Sequence, residues 1–373
     1  MRVFCVLVYY VVLGSYLNTF AQKAEEYIEI AKKRRNIGDY NGCLANLNKA
    51  AEIEPNNAKV YGIRANTKMM LQDYKGAIED YNKALELDKN YAKAYGGRAF
   101  AKYAMRDFEG AAQDYNKALE LAPNDAAVYS WRGFLSYANK KYQEALADYN
   151  KAIELEPFDS KLYADRAMVK AALNDRQGAM QDFNEAIRID PFYAKNYRDR
   201  ASLKIENNDL KGALEDYDQA ILNAPKQTRY YIERGNIYLK LKDVKNALHD
   251  FSKAIEIAPT DVAGYYNRGL ALMTEQSYNA AIVDFEKTIS MNPKYTDAYI
   301  HLGVCLSAID KHKEAVQNFD KAIQLDDKNA KAYFGRGIAK ASLKNNTEAC
   351  ADLKKAQELG YNEALNAINN VCK

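Results

Sequence analysis

AAVYSWRGFLSYANKKYQEALADYNKAIELEPFD, residues 126–159, is one instance of a unit that fills most of the chain. Numbered from 1 to 34, it places Tyr129 at position 4, Arg132 at 7, Gly133 at 8, Ala145 at 20, Asp148 at 23, Tyr149 at 24, Ala152 at 27 and Pro157 at 32. Steps of 34 residues find the unit again, starting at Ala24, Ala58, Ala92, Ser160, Ala194, Thr228, Val262, Thr296 and Ala330. Ten copies therefore run across residues 24–363 without insertion or deletion. Each unit of such an array buries its apolar face only against its neighbours, so the period dictates the architecture before any local reading.

Position 4 is Tyr in all ten copies, and position 8 is always Ala or Gly. Position 20 is Ala in nine copies and Cys43 in the first; position 27 is Ala in nine and Thr288 in the eighth. All seven prolines of the chain stand at position 32. Proline cannot continue a helix and drives the preceding residue out of the α region, so a helix ends there. Between the prolines, apolar residues recur at steps of three and four, as in Tyr115, Ala118 and Leu119. The unit reads as helix A over about positions 1–14, a short turn, and helix B over about 15–28. No β pattern competes, and the class is all-α.

Length, helix count and the residues at 4, 8, 20, 24, 27 and 32 resemble the tetratricopeptide repeat family. Tyr stands at 4 where that family usually has Trp, Lys89, Asp327 and Tyr361 replace Pro at 32, and Arg replaces the common Leu at 7. The resemblance implies a right-handed superhelical solenoid of helix-turn-helix units, a single array over 22–373 with a capping helix over 364–373. It also implies a concave groove lined by positions 2, 5, 9, 12 and 13 of helix A. Read onto this chain, those positions give a stretch rich in aromatics and methionine in copies two to five: Met69, Met70, Phe100, Tyr103, Phe134, Tyr137 and Met168. Copies six and seven turn polar (Arg198, Ser202, Glu206, Asn236, Lys240). Copies eight to ten are apolar again (Tyr266, Leu270, Met273, Ile300, Val304, Phe334, Ile338). Some members clamp a carboxylate tail with Lys at 5 beside Asn at 9; here Asn66 and Asn236 stand at 9, but Gly62 and Ile232 stand at 5. That clamp is not assembled.

Residues 1–23 precede the first copy. Arg2 precedes an apolar run from Val3 to Leu13, broken by Gly14 and Ser15 and followed by Thr19-Phe20-Ala21. This is the pattern of a secretory signal peptide, cleaved before Gln22. The run is shorter than the ~20 residues of a spanning helix, and a retained N-terminal membrane anchor is the alternative. Export to a periplasmic or extracellular space is the expectation.

Net charge is +3, too balanced to imply bulk attraction to nucleic acid or to a membrane surface. Lys32-Lys33-Arg34-Arg35 reads as a solvated helix face. His249, His301 and His312 lie in different copies at unrelated positions, with no metal-ligand spacing, no CxxC and no phosphate-cradling glycine loop. No cofactor, metal or catalytic residue is expected. Cys43 occupies a small-residue core position, while pairing of Cys350 with Cys372 in an oxidising compartment stays open.

Arginine at 7 finds its explanation inside the chain. Eight copies carry it, and the same eight carry Asp at 23; the two with an aliphatic residue at 7, Ile30 and Leu302, carry Asn46 and Asn318. Covarying positions imply contact, here a structural Arg–Asp pair between helices A and B of one copy. The expected function is a non-catalytic scaffold holding a protein or peptide partner in its groove through Met69, Phe100, Tyr103, Phe134, Tyr137 and Met168. The alternatives are a self-assembling structural array, or a component of an envelope or secretory assembly.

Overall fold

The computed structural model describes residues 22–372, and the expected leader over 1–21 lies outside them. Every described copy is a helix pair, and no strand occurs among the described residues. In copy two, helix A spans Ala58–Met70 and helix B spans Tyr74–Leu87; in copy four they span Ala126–Ala138 and Tyr142–Leu155. Helix A thus occupies positions 1–13 and helix B positions 17–30, which moves the expected turn and the start of helix B.

Two local devices set these limits. Residues at position 15, from Gln72 to Lys344, adopt φ of 58–66°, the left-handed conformation that closes a helix C-terminus. Position 16 then caps helix B: the carboxylates of Asp39, Asp73, Asp107, Asp175 and Asp209 accept from the backbone N–H of the glycine three residues on. A Cβ at Gly76 would lie only 2.2 Å from the Asp73 carboxylate, so glycine at 19 gives the cap its closest approach, while Asp243 caps from Asn246 N–H at a longer 3.2 Å.

Contacts divide the helices into two compact units, one up to Pro191 and one from Phe192. In the first, copies one to five stack in chain order; in the second, copies six to ten do so and end on a helix at Ala364–Val371. Each unit buries the same ladder of side chains. The position-24 side chains Leu47, Tyr81, Tyr115, Tyr149, Phe183, Tyr217, Phe251, Phe285, Phe319 and Leu353 are at most 2% exposed. Alanines at 20 and 27 let the helices approach, and a Cβ at Gly97 would strike the Tyr81 hydroxyl at 2.3 Å. Tyrosine at 4 ties successive copies: Tyr61, Tyr163, Tyr231 and Tyr299 donate to the carbonyl of the preceding proline at 3.1–3.3 Å. In these four copies Tyr supplies a hydroxyl bond that a Trp ring would lack.

Cys350 and Cys372 form a disulfide with Cα atoms 5.3 Å apart, joining the terminal helix to helix B of copy ten (Asn346–Glu358). Cys43 and Cys305 are buried free thiols, and burial pushes the Cys305 thiol up to about 12. No described helix is long and apolar enough to cross a membrane.

Candidate functional site

All eight Arg–Asp pairs form within their own copies, from Arg64–Asp80 at 2.6 Å to Arg336–Asp352 at 2.5 Å. Each is a two-pronged fork, Nε to Oδ2 and Nη2 to Oδ1, and the aspartates are 1–6% exposed. The third nitrogen adds a link the covariation did not reveal: Arg98, Arg132 and Arg166 donate Nη1 to Asn82, Asn116 and Asn150 of the preceding copy at 2.7–2.9 Å. Recurrent Asn, Asp or Ser at position 25 was the available signal. Each of these guanidiniums also lies over its own copy's Tyr ring at position 4, 5.4–5.6 Å from the centroid. The pairs are structural.

The groove positions of copies two to five divide. Phe100 and Phe134 stay open, at 43% and 46% exposure, and Met70 is more open still. Met69, Tyr103, Tyr137 and Met168 are half-buried; Met69 packs against the core around Tyr81, Tyr103 against that around Tyr115, and Tyr137 against that around Tyr149. Their rings support the open ones. Tyr103 meets Phe134 edge-on at 5.6 Å and Phe108 at the same distance, while Phe100 meets Trp131 edge-on at 6.4 Å. Trp131, at position 6, was missed. It is the only Trp in the chain, stands at no signature position and is 40% exposed. The aromatic surface is therefore built by helices A of copies three and four, with Met69 and Met168 at its margins.

The later stretches are of another kind. Ile300 is 4% exposed, and Tyr266, Leu270 and Met273 pack against the core around Phe285 and Phe319, leaving Val304 and Ile338 as the open members. Ile300, at position 5 of copy nine, belongs to that core itself, so the patch is mostly core. In copies six and seven Arg198 donates to Glu233 at 3.0 Å and to Asp199 at 3.0 Å, Lys195 pairs with Asp199 at 2.6 Å, and Arg229 with Glu233 at 2.8 Å. This network holds Glu233 below the usual carboxylate range through hydrogen bonds from Arg198 and Arg229, against the upward pull of its burial. Three cations face two carboxylates within it, and no described group of His, Cys, Asp and Glu could hold a metal ion.

The sequence model of the tetratricopeptide repeat matches residues 58–91, 92–125, 126–159, 160–193, 228–261, 262–295 and 296–329. No curated protein matches the chain. Among solved structures, the C-terminal part of a repeat-containing protein from Cytophaga hutchinsonii is 20% identical, with a TM-score of 0.54 over 64% of this chain and 97% of that one. A tetratricopeptide repeat protein from Parabacteroides merdae is 20% identical, with a TM-score of 0.50 over 66% and 99%. YrrB, described as having an unusual peptide-binding site, is 26% identical, with a TM-score of 0.43 over 50% and 96%.

Proposed function

Because the chain belongs to the tetratricopeptide repeat family, we propose that it is a non-catalytic scaffold that holds an apolar segment of a partner protein against the aromatic surface of copies three and four. One observation carries this reading: Phe100 and Phe134 keep nearly half their surface open while their rings are braced by Trp131 and Tyr103. Large rigid side chains with little rotamer entropy to lose are what binding hot spots use. Neither side chain stands at a position that the repeat needs for its own packing.

The test is a double substitution, Phe100→Ala with Phe134→Ala, in protein used to capture partners from its native compartment. Affinity for the captured partner should fall by about tenfold or more, at about 1.4 kcal/mol per decade. Helix content and melting should stay near those of the parent. Collapse of the fold would make the two rings core, and unchanged affinity would move the site off this surface.

The same reading includes export. Disulfides persist in oxidising compartments and are rare in reducing ones, and the Cys350–Cys372 geometry permits one. Protein recovered outside the cytoplasm should begin at Gln22 by mass; recovery only in membranes, with residues 1–21 intact, would favour an anchor.

A further inference from the structure

Copy four breaks a pattern that surrounds the buried aspartates. In copies two, three, five, six and ten a lysine at position 11 places Nζ 2.8–2.9 Å from Oδ2 of the aspartate at 23. The same ammonium donates to the carbonyl at position 19 in copies two, three and six, at 3.1–3.4 Å. In copy ten it reaches the side chain of Glu348 instead, at 3.0 Å. These lysines are only 15–21% exposed, so each seat is a nearly enclosed ammonium site that the repeat fills for itself. Copies seven and eight put Tyr238 and Leu272 in the lysine's place.

Copy four has Ser136 there, a side chain too short to reach the seat. The space opens as a cavity of about 550 Å³ whose lining includes Phe108, Ala112, Leu135, Ser136, Glu144 and Asp148. Asp148 is 5% exposed and, among the described residues, keeps only the Arg132 fork. Two further positions change with Ser136: the helix B cap is Lys141, with no side-chain cap bond, and position 19 is Glu144. Among the charged residues lining the cavity, Arg132 and Lys141 face Glu109, Glu144 and Asp148, which leaves a net charge of −1 that one ammonium would cancel, as Lys340 bridges Glu348 and Asp352 in copy ten.

We propose that this cavity receives a primary ammonium group, the lysine side chain of a partner protein segment, seated as the lysines of the sister copies seat themselves. The chemistry is selective. Arg132 already occupies Asp148 in the plane of its carboxylate, so no second planar fork fits, whereas a compact three-donor ammonium needs only the remaining lone pair of Oδ2. Phe108 and Leu135 supply apolar wall for a four-carbon stem, which buries well beneath a charged head. Lys141 meets Glu144 only at the surface, at 3.4 Å with both side chains about 60% exposed, a contact worth too little to close the cavity. Phe108 in the cavity wall also touches Tyr103, which touches Phe134, so the wall is in ring contact with the aromatic cluster of copies three and four.

The probes are n-butylammonium, the blocked peptides Ac-Gly-Lys-Gly-NH2, Ac-Gly-Arg-Gly-NH2 and the norleucine analogue, and spermidine, at constant ionic strength. Backbone amide shifts of Ser136, Glu144 and Asp148 report binding to the full chain. Butylammonium and the lysine peptide should move these amides, with arginine and norleucine peptides weaker by about tenfold or more. Ser136→Lys, which rebuilds the arrangement of copy ten, should fold, raise the urea midpoint and abolish the shifts; Lys141→Ala should retain them. Equal binding by the arginine peptide, or undiminished binding to Ser136→Lys, overturns the proposal. Tighter binding of spermidine than of the lysine peptide would assign the site to free polyamines and overturn the partner lysine. None of these outcomes depends on Phe100 or Phe134, so the site and the partner surface fail separately.

Discussion

Arginine at position 7 does at one residue what most repeats do with a leucine: it fills the seam between helices A and B. It also forks onto an aspartate, reaches the preceding copy and lies across a tyrosine ring. Stranding a buried carboxylate costs about 3–5 kcal/mol, so the remaining cations decide how much each arginine matters. Arg166→Leu leaves Asp182 with Lys170 at 2.8 Å, and a loss of about 1–3 kcal/mol is expected. Arg132→Leu leaves Asp148 with no cation among the described residues, and the larger loss is expected there. Adding Asp182→Asn to Arg166→Leu should recover part of the loss, as Ile30 with Asn46 and Leu302 with Asn318 already stand. Urea unfolding of the parent, Arg132→Leu, Arg166→Leu, Asp182→Asn and the double variant checks this; equal losses for the two arginines, or a cycle without coupling, would refute it. A second residue sets a pH dependence. Burial against Phe285 and Tyr266, with Lys331 nearby, holds the His301 imidazole below its ordinary 6.5, while Asp297 pulls the other way. The folded state keeps the neutral ring, so the unfolded chain takes up the extra proton. Stability is therefore full above about pH 7 and falls as pH drops through 6.5 towards the folded value, by less than about 1.4 kcal/mol per unit. His301→Phe should flatten that slope between pH 7.5 and 5; an unaltered slope would assign it to other groups.

Within each helix pair, the turn is the place where local chemistry rules. Nine non-glycine residues at position 15 hold φ near 60°, a region that costs an L side chain about 1 kcal/mol, and only copy one has glycine there. Gln72→Gly should raise the urea midpoint, by roughly 0.5 kcal/mol after glycine's own entropy cost, with the denaturant slope unchanged. Asp73→Ala removes the carboxylate that accepts from Gly76 N–H at 3.0 Å and should cost about 1 kcal/mol. Proline marked where helix B ends, and the structure agrees closely there. The start of helix B lay two residues later than periodicity implied, because periodicity follows buried faces and is blind to a cap. The Asp-x-x-Gly spacing at 16 and 19 carried that information in five of the ten copies.

Within each of the two units, repeats pack on their sequence neighbours, so a local break stays local. Reducing Cys350–Cys372 should raise hydrogen exchange in Ala364–Val371 and helix B of copy ten while copies two to five keep their protection. Exchange rising throughout would mean that cooperativity spans the array. The sequence by itself determined the helix pair, its ten copies, the buried ladder at 20, 24 and 27 and the Arg–Asp pairing, because a unit repeated many times turns spacing into contact. It also located the aromatic stretch of copies two to five. Only the tertiary structure decided which of those side chains remain open, since Phe100 and Tyr103 stand three residues apart on one helix and differ in what packs on them, Trp131 on the first, Phe108 and Phe134 on the second. It alone turned the second apolar stretch into core, brought Trp131 against Phe100, and exposed the cavity over Asp148. Each of these depends on the volume left between two helices after all their neighbours are placed, and spacing along one chain does not contain that volume.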